Sequence, residues 1–193
     1  MKSFGQKPWM LPQPVLIIGT YNQDGTPNAM NAAWAGQWDA KEISVNIVYW
    51  KVHMIRNIEI SDYLRLMDIW EDSVLNTHDF LKMEDFLFYK KMLPIYFPHV
   101  DLYGYERDGV LIGFMGVAGD NLEMLFIENK HRGTGVGKEL VLYAIENLYI
   151  RKVDVNEQNS QAIGFYKYLG FNVYGKSEMD AEGKEYPILH MKL

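Results

Sequence analysis

From Met54 onward, apolar and polar positions switch between two periods, and the switches lay out an order of elements. "MIRNIEI" reads as a strand. After it Ser61 and Asp62 stand where a helix cap belongs, with Leu64, Met67, Trp70 and Val74 recurring on one helical stripe. "KMEDFLFYKKML" is a second helical stretch, expected to stop before Pro94 because a proline pushes the preceding residue out of the helical region. "DLYGYER", a turn at Asp108-Gly109 and "VLIGFMGVAG" read as a hairpin. "LEMLFI" then predicts a strand, "VGKELVLYAIENLY" a helix and "KVDVN" a strand. "NSQAIGFYKYL" predicts a helix closed by Gly170 in a left-handed cap. "FNVYGKSEM" and "EYPILHMKL" end the chain as strands around "DAEGK". The order β-α-α-β-β-β-α-β-α-β-β predicts an α/β (α+β) domain, a mixed central sheet flanked by helices.

Before Met54 the pattern is all β. "PVLIIGTY", a polar "NQDGT" and "PNAMNAAW" predict a hairpin, and "EISVNIVYW" a further strand. Charge divides along the same line. Residues 1–53 hold four lysines against three acidic residues, whereas the whole chain carries −6. The expected division is therefore 1–53 and 54–193.

At 193 residues the chain can bury one good core, or a core with an appendage. The net charge of −6, with no basic cluster, argues against a nucleic-acid partner and permits a cationic substrate. Without cysteine there are no disulfides, no thiolate metal site and no thiol nucleophile. The five histidines show no metal-ligand spacing, so no metal is expected. The start, "MKSFGQKPWMLPQP", lacks the apolar stretch of a signal peptide, and no run approaches the ~20 apolar residues of a membrane span. A cytoplasmic protein with no membrane partner is the expectation.

The candidate chemistry begins at "ENKHRGTGVGKEL", where the strand of "LEMLFI" gives way to a helix. Glycines at 133, 135 and 137 let a backbone approach a ligand closely, and the N–H groups of a starting helix favour an anion such as a pyrophosphate. Arg132 and Lys138 flank them with positive charge. By itself such a loop also serves as a tight turn. A dinucleotide-binding fold is set aside: the spacing is G-x-G-x-G, and fewer than 60 residues remain for the rest of a doubly wound sheet.

In "NEQNSQAIGFYKYLGF", Asn159 stands at a cap position and Tyr166 lies about two turns later on nearly the same face. "RGTGVG" after "LEMLFIEN", followed by N-x-x-A-x-x-F-Y-x-x-x-G-F, resembles the acetyl-CoA motifs of the GNAT superfamily of N-acetyltransferases. The resemblance covers about Met54 to Leu193. It implies that backbone amides over Arg132, Gly133, Thr134, Gly135, Val136 and Gly137, with Lys138 adjacent, hold the pyrophosphate of acetyl-CoA. Leu125, Phe126 and Ile127 would lie on a strand splayed from its neighbour and pair with the pantetheine arm. An N–H near Leu125 would meet the thioester carbonyl. Asn159 would also reach the pantetheine, and Tyr166 would protonate the departing thiolate. Two positions compete for removal of the amine's proton. Glu123, two residues before Leu125, should share its sheet face. His78, in "DSVLNTHDFL", follows the first helix where the family builds its acceptor wall. Trp70, Phe80 and Phe86 read first as core. The acceptor would be a small-molecule or peptide amine; the tract around His78 and the chain's ending resemble bacterial members with unassigned substrates.

"KPWMLPQPVLIIGTYNQDGTPNAMNAAW" resembles the opening of flavin-reductase-like split barrels that bind FMN. About 45 residues are too few to close a flavin pocket, so FMN is not expected. A truncated segment from a gene fusion would have to cover Val15, Ile17, Met30 and Trp34, which favours a homodimer. Three functions follow in order: acetyl transfer from acetyl-CoA to a primary amine, an acyl-CoA-binding sensor without turnover, and a flavoprotein.

Overall fold

The structure, a computed structural model, describes residues 53–193 and the backbone of four short strands between residues 16 and 46. The chain divides into two compact units, 1–51 and 52–193. In the first, β1 (Leu16–Tyr21) pairs antiparallel with β2 (Pro27–Ala32), the predicted hairpin. A second pair joins β3 (Trp34–Gln37) to β4 (Ile43–Asn46). The apolar face expected on Val15, Ile17, Met30 and Trp34, and with it the flavin-reductase resemblance, falls on side chains outside the described residues.

In the second unit, seven strands form one sheet: β5 (His53–Asn57), β6 (Asp101–Arg107), β7 (Val110–Ala118), β8 (Asn121–Ile127), β9 (Lys152–Asn156), β10 (Asn172–Ser177) and β11 (Ile188–Lys192). The spatial order is β10-β11-β9-β8-β7-β6-β5, and only β8 against β9 runs parallel. The helices are α1 (Tyr63–Leu75), α2 (Met83–Tyr96), α3 (Val136–Asn147) and α4 (Ser160–Tyr168). Asp108 and Gly109 both take positive φ, which closes the β6–β7 hairpin with the twist that its strands prefer. This is the predicted mixed sheet, element for element.

β7 is buried on both faces and divides the core in two. Ile112, Met115 and Val117 pack with Leu140, Val141 and Ala144 of α3 and with Tyr166 and Phe171. Leu111 and Phe114 pack with Leu66, Ile69 and Trp70 of α1 and with Phe86 and Leu93 of α2. Three helical expectations are corrected here. The buried stripe of α1 is Leu66, Ile69, Trp70, Ser73 and Val74, while Leu64 is exposed. Asp62 does not cap it through its side chain. That carboxylate takes Arg56 at 2.8 Å and the Glu59 N–H at 3.0 Å. And α2 runs through Pro94 to Tyr96, because Leu93 and Phe97, both buried, hold the last turn against the sheet despite the lost N–H.

The feature that positions the site lies in β8. Against β7 it is paired as far as Ile127, but against β9 only Asn121 and Leu122 have partners. Beyond Leu122 the two parallel strands part, and one edge of β8 is left without a neighbouring strand among the described residues. A register shift accompanies the parting: Gly116 faces Met124 while Val117 faces Leu122, so Glu123 is an extra residue on β8. Such a bulge adds twist and bends the strand away from its neighbour.

Candidate active site

The loop after β8 is built from a short 3-10 turn, Asn129–His131, and two glycines in the left-handed region, Gly133 (φ 73) and Gly135 (φ 96). α1 steadies the turn. Arg65 donates to the Leu111 carbonyl at 2.7 Å and to Glu128 at 3.0 Å, and the Asn129 N–H donates to Asp72 at 2.6 Å. α3 starts at Val136 with no side chain capping it. Its first intrahelical acceptor, the Gly135 carbonyl, serves Glu139 at 3.0 Å. The amides of Val136, Gly137 and Lys138 therefore have no acceptor within the helix, at its positive dipole end.

A cleft of about 300 Å3 opens beside these amides. Its walls are Leu125, Phe126 and Ile127 from the unpaired edge of β8, Arg132, Gly133, Gly135, Gly137 and Lys138 from the loop, and Asn159 and Tyr166 from α4. Ten of the twelve positions named for the cosubstrate thus come together. Thr134 and Val136 do not line it: the Thr134 hydroxyl donates to the His131 carbonyl at 2.7 Å, and the Val136 side chain is core. Glycines around an unsatisfied helix start, with cationic flanks, fit a diphosphate, and the free strand edge fits an amide-bearing arm.

Asn159 caps α4 by accepting the Ala162 N–H at 3.0 Å. Tyr166 is both core and wall. It is 6% exposed and packs edge-on to Phe165 and Phe171, yet its hydroxyl takes no hydrogen bond among the described residues. Burial pushes the phenol above its usual range, so it stays protonated at neutral pH. The sequence reading missed Gln161, which receives Arg132 at 2.8 Å, and Phe165, Ser73, Thr77 and His131, which also line the cleft. Gln161 and Phe165 sit inside the motif that revealed Asn159 and Tyr166; the other three had no local signal.

On the other side of Phe126 a second cleft, about 250 Å3, is bounded by α1, α2 and the β10–β11 loop. Glu123 opens into it beside Met124 and Phe126, and not into the first cleft beside Leu125. This corrects the expectation that Glu123 and Leu125 share a face: the bulge at Glu123 breaks the two-residue period. Asn121 donates to the Glu123 carboxylate at 2.8 Å.

His78 lines both clefts. The Thr77 hydroxyl lies 2.8 Å from the Ser73 carbonyl and 2.7 Å from His78 Nδ1; in the tautomer where Thr77 donates to Ser73, His78 donates Nδ1–H to Thr77. Nε2 is then left with its lone pair. Burial, and then the nearby Arg132, push the imidazole down to about 4 against the opposing pull of Asp79, so it is neutral at physiological pH.

An unfolded histidine binds its proton near 6.5 and the folded one near 4, so the unfolded state is favoured as pH falls between those values. Stability should drop by up to about 3 kcal/mol across that window. Denaturant titrations at several pH values should show His78→Gln losing correspondingly less.

Residues 80–193 match the acetyltransferase (GNAT) domain family. A relative from Escherichia coli, peptidyl-lysine N-acetyltransferase YjaB, is 42% identical over 128 residues, 65% of this chain and 86% of that one. The solution structure of apo YjaB from Escherichia coli superposes with a TM-score of 0.68 at 38% identity, over 73% of this chain and 97% of that one. The PaiA N-acetyltransferase of Thermoplasma acidophilum, solved with coenzyme A, shares the fold at 22% identity with a TM-score of 0.56, over 74% of this chain and 99% of that one. With its split sheet, glycine loop and matching domain, the chain belongs to the GNAT family and is an acetyl-CoA-dependent acyltransferase.

Proposed function

We propose that the protein moves the acetyl group of acetyl-CoA to the side-chain amine of a peptide lysine, by direct attack within a ternary complex. The observation that carries this reading is the meeting of two clefts at Phe126 and His78, one suited to a diphosphate and an extended arm, the other with no lysine or arginine in its walls among the described residues. The choice of lysine is supported by the relatives named for it.

In this reading the amides of Gly137 and Lys138, with Arg132 and Lys138 side chains, bind the diphosphate. The free edge of β8 at Leu125–Ile127 binds the pantetheine arm and places an N–H near the thioester oxygen. Neutral His78 accepts a hydrogen bond from the amine through Nε2 and directs it at the carbonyl. Glu123, exposed to water in the acceptor cleft, takes the ammonium proton before attack. Tyr166 supplies a proton to the departing sulfur. A sensor that binds without turnover would need none of these last three groups.

The test is release of free thiol from acetyl-CoA with a lysine peptide and its alanine counterpart. Release with lysine alone supports the reading, and equal release with both contradicts it. We further assign residues 1–53 to a segment that joins two copies. Light scattering of the full chain should give the mass of a dimer, and a monomer would refute the assignment.

A further inference from the structure

The acceptor cleft is more aromatic than a lysine side chain requires. Trp70 and Phe126 meet edge to face at 6.3 Å, Phe80 stands 6.3 Å from Tyr186 and 5.2 Å from His78, and Tyr89 and Tyr96 line the cleft with them, beside aliphatic residues such as Leu93 and Met124. An unbranched alkyl chain gains little from so many rings, whereas a second ring packs against them offset or edge-on.

The three tyrosines present their bodies and not their hydroxyls. Each hydroxyl is tied to a carboxylate: Tyr89 to Asp180, Tyr96 to Glu182 at 2.7 Å, and Tyr186 to Asp85 at 2.6 Å. These bonds run from the β10–β11 loop to α2, reinforced by Lys184 on Asp85 and over the Phe88 ring at 4.4 Å. They leave the cleft wall apolar, and burial holds all three phenols above their usual range, hence neutral. The charged groups in the wall are Glu123 and Asp180, both suited to a cation. At about 250 Å3 the cleft sits at the small end of ligand pockets.

We infer that this cleft also accepts small arylalkylamines, primary amines carrying an aromatic ring on a short chain, as acetyl acceptors. The inference rests on the reading above, in which this cleft delivers the amine. The ring lies among Trp70, Phe80 and Tyr186, and the nitrogen reaches His78 at the junction with the first cleft. The amine nitrogen bonds to the acetyl carbonyl carbon and the carbon–sulfur bond breaks. Glu123 takes one proton from the ammonium before attack and releases it to water; the second proton, which the nitrogen sheds on attack, leaves by the same route, the sulfur takes one from Tyr166, and Tyr166 recovers its proton from water.

The experiment compares phenethylamine, butylamine and a lysine peptide as acceptors for the full chain, by thiol release and mass of the product. Phenethylamine should exceed butylamine in kcat/KM by about 30-fold, the worth of burying one ring. Phe80→Leu, which keeps apolar bulk at a half-buried position, should cut that ratio below about fivefold. Phe80→Ala serves as a second variant, each checked for an unchanged melting point. Peptide acetylation with phenethylamine no better than butylamine overturns the inference and leaves the lysine reading standing. A ratio that survives both substitutions overturns the placement of the ring. No thiol release from any acceptor removes the lysine reading and this inference with it.

Discussion

Replacing Tyr166 with phenylalanine lowers kcat about 100-fold while KM for acetyl-CoA stays within about threefold. The change removes one oxygen whose hydrogen-bonding partner is absent among the described residues, so no buried group is stranded by its loss. The ring keeps its contacts with Phe165 and Phe171, and the fold should be undisturbed. What disappears is a proton source. Because burial raises the phenol's pKa, Tyr166 is a proton donor across the whole neutral range, and it gains an acceptor only when a thiolate forms beside it. Steady-state kinetics with a lysine peptide, together with a melting curve, check this. An unchanged kcat would remove Tyr166 from the chemistry and leave it as a core aromatic.

The second large effect belongs to the loop. Gly135→Asp should weaken CoA binding about 100-fold or more, a loss of about 3 kcal/mol. Its φ of 96 lies where aspartate is among the better-tolerated residues after glycine. The new carboxylate sits at the uncapped start of α3, repels the diphosphate and competes for the amides of Gly137 and Lys138. Left-handed strain and the Glu139 carboxylate, 3.7 Å from where the new Cβ stands, outweigh the favourable charge at the helix start, so the melting point should also fall, by about 5 °C. A titration of CoA followed by calorimetry separates the two effects. Wild-type affinity in the variant would mean that these amides hold something else, or nothing.

The parts of this molecule that were legible in the sequence are those whose signal is local. Gly170 after an apolar helical period marks a left-handed cap, and its φ is 97. Asn159 before an apolar period marks a cap, and it caps. Alternation between periods of two and of 3.6 gave the element order from β5 to β11. Local rules failed where distant packing overrides them. Pro94 should end a helix, yet Leu93 and Phe97 in the core carry α2 past it. Strict alternation puts Glu123 beside Leu125, but one extra residue on β8 turns it into the other cleft. Nothing near Tyr89, Tyr96 or Tyr186 in the chain announces that their hydroxyls meet carboxylates roughly 90 to 100 residues away. The tautomer of His78 depends on where Thr77 sends its proton, which only the helix geometry decides.

Whether the bent loop and the parted strand form a berth for CoA is decided by a calorimetric titration of CoA into the wild-type chain. Saturable binding in the micromolar range is the expected result. No heat of association at millimolar CoA would contradict it.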